Sequence, residues 1–260
     1  LERPDDGPIK AKTLKLKDVG YYNDIKVIAV PQVAKDQIVN LGVKKGLREH
    51  HDKNEAAMKK AKANSVAAKD IIPKAKIINL TDKMDANGKL NWKAPAGNWT
   101  ILRMGSASTG ACTRPGNEKT RGLEADKFSR EAVKFHFDSL IKPLLAMDGV
   151  KPGENLTYLA VDSWEADGQN WSPVLAAEFE KRRGYSLYPF LPVLTGRIVE
   201  SVEVSERFLY DFRRTMGDCV HDNFFGYLAE LCGEYNMGFG SEPFSRAAFD
   251  GMEIIEAISH

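Results

Sequence analysis

The sequence predicts an α/β fold preceded by a β-rich segment that closes like the end of a β-sandwich. Three observations carry that expectation. Up to residue 98, short β-branched runs are broken by Asn87-Gly88 and Pro95-Ala96-Gly97, the turn chemistry of antiparallel hairpins. From Trp99 onward, strand-like runs alternate with long stretches whose apolar residues recur every three or four positions, the rhythm of helices crossing over a parallel sheet. Two later strand-like runs end in carboxylates, at Asp162 with Glu165 and at Glu242.

In chain order, Asp24–Val30 (DIKVIAV) reads as a strand stopped by Pro31. A polar insertion rich in Lys and Ala follows at about 48–69, too thinly apolar to bury a face. Ile77–Leu80 resumes strand character, and the two turns lead to a strand at Thr100–Met104. We therefore expect residues 1–98 to form one β-rich unit and 99–260 a second, α/β unit.

In the second unit, a helix is expected over about 127–147, with Val133, Phe137, Leu140, Ile141, Leu144 and Leu145 as its apolar face and Asp126 as a candidate N-cap. Leu156–Val161 is the next strand. Ser172-Pro173 opens a helix that Gly184 ends. A proline-punctuated connector follows, then a long helix capped by Ser205 and patterned through Phe208, Leu209, Phe212, Met216, Val220, Tyr227, Leu228 and Leu231. A last strand is expected over 236–240. Three such strands are compatible with a small open sheet or with part of a (β/α)8 barrel, which needs eight.

Composition narrows the function classes. A 260-residue chain with 43% hydrophobic and 28% charged residues can bury a sizeable core. Its net charge of +1, without a basic stripe, gives no electrostatic footprint for nucleic acid. No apolar run approaches the roughly 20 residues of a membrane span. Cys112, Cys219 and Cys232 form neither a disulfide framework nor a CxxC pair. The start LERPDD lacks an initiator Met, so the absence of a leader carries no information about export. HExxH, GxSxG, Walker A and GxGxxG patterns are absent. The sequons Asn98-Trp-Thr and Asn155-Leu-Thr are too short to be diagnostic.

In parallel α/β folds, sites form at the carboxyl ends of strands. Two strands delivering carboxylates to one edge is what glycoside hydrolysis requires, one acid protonating the leaving oxygen while the other activates water or attacks. Trp164 and Trp171 offer faces for a sugar ring, and Gln169 and Asn170 offer amides for its hydroxyls. The plainer alternative is that such carboxylates cap helices or face water. Glu124 and Asp126, in GLEADK, are candidates for the rim of the site. An oxygen-rich setting of this kind would suit calcium.

Six phrases in order are INLTDKMDANGKLNWKAPAGNWTILRMG, GLEADKFS, VDSWEADGQNWSP, EFEKRRGYSLYPFLPVLTGR, SERFLYDFRRT and GFGSEPF. Together they resemble the α-L-rhamnosidases of glycoside hydrolase family 106. The resemblance implies a (β/α)8 catalytic barrel flanked by β-sandwich modules, of which 99–260 would be the N-terminal part of a truncated barrel. It implies an exported enzyme, extracellular or periplasmic, that releases terminal L-rhamnose from complex glycans by an inverting, calcium-assisted reaction. On this reading Glu165 matches a catalytic carboxylate, Glu242 a possible second one, and Asp162 a metal or substrate contact. Further domains of the parent polypeptide are implied as partners. The alternatives are a non-catalytic carbohydrate-binding or scaffold module, or a hydrolase for another sugar.

Overall fold

β-Branched residues at Val27, Ile28 and Val30 make a strand that is buried on both faces, each residue at most 3% exposed. A computed structural model describes residues 21–34, 37–39, 41–46, 66–112, 122–162 and 169–241. The strands are β1 (Tyr22–Pro31), β2 (Ile71–Ile72), β3 (Ile78–Asn79), β4 (Trp99–Ala107), β5 (Tyr158–Val161), β6 (Ile198–Val199) and β7 (Gly238–Ser241). The α-helices are α1 (Leu41–Lys44), α2 (Arg130–Leu145), α3 (Leu175–Arg183), α4 (Val202–Val220) and α5 (Gly226–Gly233). Among the described residues no helix is long and apolar enough to cross a membrane. The Lys/Ala insertion lies outside the described residues over 47–65.

The chain divides into two compact units, each assembled from separated stretches. The first takes in Leu1–Lys45, Asn54–Thr109 and Phe179–Phe212. Its three-stranded sheet has the order β3-β1-β4, and both pairings are antiparallel. Val27, Ala29 and Leu80 form a core covered by Ile78, Met84, Leu90, Trp92 and Trp99, with the two indoles edge to face at 5.8 Å. The Asn87-Gly88 turn forms as expected. Gly88 takes φ +79°, Asp85 N donates to Lys89 O, and Met84 bridges Leu90.

The strand beginning at Trp99 departs from expectation. Read as the first strand of the parallel series, it pairs antiparallel with β1 along its whole length, from Tyr22 opposite Ala107 to Pro31 opposite Trp99. Alternation along β4 was the missed signal: Ile101 and Arg103 point to solvent while Leu102 and Met104 are half-buried, as in a strand with one wet face. The proline-punctuated connector is also more ordered than its composition implies. Tyr188–Thr195 is a 3-10 helix that buries Phe190, Leu191, Pro192 and Val193. Phe190 and Phe208 stack at 5.3 Å, and Phe179, Tyr185 and Phe212 complete the aromatic cluster. Ser205 is not the cap of α4. It lies fully buried inside the first turns and ties the helix to β6, donating to Val199 O at 3.0 Å and accepting from Val199 N at 2.9 Å. Ser201, accepting from Val204 N, takes the capping role.

The second unit takes in Gly46–Lys53, Gly110–Glu178 and Arg213–His260. β5 and β7 pair in parallel, Tyr158 opposite Gly238 and Val161 opposite Ser241. Helix α2 is capped by Ser129, whose side chain accepts from Ala132 N. Its buried face is Val133, Phe137 and Leu145, whereas Leu140 and Leu144 are exposed. The long helix pattern is interrupted by a π-helical turn, His221–Phe225, between α4 and α5. The wider turn directs Asn223 inward, where its amide donates to Phe128 O at 2.7 Å. The fold is thus mixed α/β.

Candidate active site

The ladder register fixes which strand ends meet. Val161 and Ser241 are Cα partners, so Asp162 follows β5 at the same carboxyl edge where β7 ends. Gly238 permits this approach, because a Cβ there would meet the Tyr158 ring at 2.4 Å. Asp162 is exposed at that edge. The Ser241 hydroxyl is shielded from solvent and has no hydrogen-bond partner among the described residues, a costly state for a polar group unless something else satisfies it.

Of the residues expected to act on substrate, Trp164, Glu165 and Glu242 lie outside the described residues. Asn170 is exposed and packs over Gly46, where a Cβ would stand 3.3 Å from the Asn170 Cβ. Trp171 is half-buried, and its carbonyl accepts from Gln169 Nε2 at 3.2 Å. Gln169 was expected to face sugar hydroxyls, yet its amide is committed internally. Nε2 donates to Asp126 Oδ1 at 2.6 Å, and Oε1 accepts from Lys127 N at 3.2 Å.

Asp126 is the centre of a network that sequence reasoning placed differently. It is not the N-cap of α2. Its Oδ1 accepts from Phe128 N at 3.0 Å and from Gln169, and its Oδ2 accepts from Ser172 Oγ at 2.6 Å. Ser172, 3% exposed, also accepts from Val174 N and so orders the turn that leads into α3. One carboxylate therefore stands between the amino ends of two helices, where unpaired N–H groups favour negative charge. Beside it, buried Lys127 pairs with Glu124 Oε2 at 2.7 Å and lies 5.5 Å from the Phe224 ring. A polar triplet flanking a helix start was the available signal; three-dimensional convergence of GLEADK with QNWS was not in the sequence.

The oxygen donors described at the β5/β7 edge are Asp162 and the Ser241 hydroxyl, fewer than the six to eight oxygens calcium takes. Both Asp126 oxygens are occupied by protein donors. Among the described residues no three acidic, His or Cys side chains gather as a metal site. The described residues do not by themselves make a calcium cage. His221 pairs with the neighbouring Asp222 at 2.7 Å, and exposed Asn155 accepts from Lys151 N and donates to Gly149 O through its side chain.

Comparison with known proteins places this edge in context. A protein of Formosa agariphila that carries a beta-glucuronidase name is 36% identical over 239 residues, covering 91% of this chain and 20% of that protein. The solved rhamnosidase of Novosphingobium sp. PP1Y superposes with a TM-score of 0.66 at 34% identity, covering 72% of this chain and 19% of its own. The chain thus spans about a fifth of the length of these relatives. The model of glycoside hydrolase family 106, described as alpha-L-rhamnosidase, matches residues 3–254, and the chain belongs to that family.

Proposed function

We propose that this chain supplies part of the active site of an exported glycosidase, extracellular or periplasmic, that releases terminal L-rhamnose from complex glycans with inversion. The observation that carries the reading is the in-register pairing of β5 with β7, which ends both strands at one edge immediately before the acidic residues. We read these strands as neighbours in a (β/α)8 barrel completed by other parts of the parent polypeptide. Inversion requires the two acids to stand roughly 6.5–9.5 Å apart, so that a water fits between them.

In this scheme Glu165 transfers a proton in the bond-breaking step, and Glu242 is the second carboxyl. One of the pair protonates the glycosidic oxygen as the bond breaks, and the other removes a proton from the attacking water. Trp164 and Trp171 stack on the sugar, and Asn170 binds a hydroxyl. Calcium, implied by the resemblance, would take Asp162 as a ligand together with groups beyond the described residues. The test is turnover of an aryl α-L-rhamnoside by the parent polypeptide, with the product anomer read by NMR. Glu165→Gln should reduce kcat by at least about a hundredfold, the scale of general acid–base assistance. Near-parent activity in that variant overturns the assignment, and unchanged activity after chelation removes calcium from the scheme.

A second reading changes only the sugar. The beta-glucuronidase name of the Formosa relative favours a hydrolase for a uronic acid residue. Turnover of an aryl β-D-glucuronide but not of the rhamnoside would select it.

A further inference from the structure

We propose that an exposed apolar stripe on α2 is the docking surface for a further helix of the parent polypeptide, outside residues 1–260. The inference rests on the reading of β5 and β7 as barrel neighbours under Proposed function. Leu140 and Leu144 are 58% and 42% exposed, and Met147, in the turn that follows the helix, is 58% exposed. Four and then three residues apart, they line one face of the helix. That stripe runs beside the buried line of Val133, Phe137, half-buried Ile141 and Leu145. The other flank of the same line is built for water: Asp138 pairs with Lys134 at 2.5 Å and with Lys142 at 2.8 Å, each four residues away. One flank thus carries ion pairs and the other leucines. Single exposed leucines are ordinary on a surface, whereas a contiguous stripe marks a contact.

In a (β/α)8 barrel every strand pairs with two others, and every helix of the outer ring has a neighbour on each side. Among the described elements α2 has one such neighbour, α5. Phe137 packs on Tyr235, just past α5, at 6.1 Å between ring centres, and Arg130 grips both carboxylate oxygens of Glu230. Leu140 and Leu144 follow Phe137 by three and seven residues, so the stripe is continuous with that contact. Among the described strands β5 likewise has one partner, β7. One further strand and helix would complete both. The chain spans about a fifth of the length of its relatives, and in a polypeptide of that length ample chain is left to bring them. Three side chains cannot supply the roughly 800 Å² per partner that holds separate chains together, whereas a helix tethered in the same polypeptide needs no such area.

The experiment is photo-crosslinking in the parent polypeptide, with the variants Leu144→p-benzoylphenylalanine and Leu140→p-benzoylphenylalanine. A control carries the same substitution at exposed Phe135, nine residues before Leu144, about two and a half turns away and on the opposite side of the helix. After irradiation, mass spectrometry of the digested monomer should find positions 144 and 140 joined to one segment outside residues 1–260, and position 135 joined to nothing there. No link from either 144 or 140, links confined to residues 1–260, a covalent dimer, or the same links from 135 would each overturn the inference. If one of the two variants does not fold, as its melting curve would show, the other decides by the same criteria. Hydrolysis is read separately. A parent that shows the link but cleaves neither glycoside overturns the proposed function and keeps the docking; one that cleaves either glycoside without the link does the reverse.

Discussion

Replacing Asn223 by Ala tests whether the π-helical turn exists to deliver one buried hydrogen bond. Asn223 is 8% exposed and Phe128 is fully buried, with 2.7 Å between the amide nitrogen and the Phe128 carbonyl. Truncation leaves that carbonyl without its donor in a site from which water is excluded, which costs about 1–3 kcal/mol. Asn223→Asp should be worse than Asn223→Ala at neutral pH, because it sets a carboxylate oxygen against a carbonyl. Burial beside that carbonyl would raise the new carboxyl's pKa above its unfolded value, so its penalty should grow as pH rises past about 4 and vanish in acid, where the protonated group can donate. Urea denaturation followed by circular dichroism, at pH 7 and pH 4, measures all of this. A midpoint for Asn223→Ala within experimental error of the parent's, or an Asp variant no less stable than the Ala variant at pH 7, would refute the reasoning.

Three further outcomes are expected. Ser129→Ala should destabilise the chain by about 1 kcal/mol in the same assay, since the hydroxyl accepts from Ala132 N at the start of α2. The Arg103 guanidinium, bound to both oxygens of Asp24, holds that carboxyl below the usual carboxylate range, so the stability it adds is present above the unfolded pKa and fades as pH falls through the folded value. Asp24→Asn should therefore cost about 0.5–1 kcal/mol at pH 7 and progressively less below pH 4, as paired denaturation curves would show. Burial pushes the Cys232 thiol up to about 11, and Cys219 is equally enclosed, so a thiol reagent should label Cys112 alone until urea is added. Rapid labelling of a second thiol in the native chain would contradict the packing of α4 and α5.

Local signals were legible where local physics decides the outcome. Asn87-Gly88 needs positive φ and makes a hairpin, Gly184 ends α3 in the left-handed region at φ +77°, and the apolar period of α4 places Phe208, Leu209, Phe212 and Met216 in the core. Pairing was less legible. The alternation of β4 marks a strand with one wet face but does not name its partner, which is β1, antiparallel and far away in the chain. The apolar face of α2 was expected to include Leu140 and Leu144, but both are exposed, and the buried line runs through Val133, Phe137, half-buried Ile141 and Leu145. Likewise Asp126 has the composition of an N-cap, and its use as a hub depends on Gln169 and Ser172 arriving from elsewhere in the chain. Capping preference is local, whereas convergence is a property of the fold.

The parallel pair at the candidate site also sets an order of events in folding. β5 and β7 each span four residues, and the chain between them runs from 162 to 237, through the 179–212 stretch that belongs to the first unit. So short a ladder closing so long a loop meets its entropic cost before it gains its contacts. The local helices should therefore form early, and the β5/β7 edge late. Neither unit is a continuous stretch, so no single cut yields one of them whole. In refolding from urea, catalytic recovery of the parent should trail the return of helical signal, because the groups proposed to share the chemistry are among the last to be brought side by side.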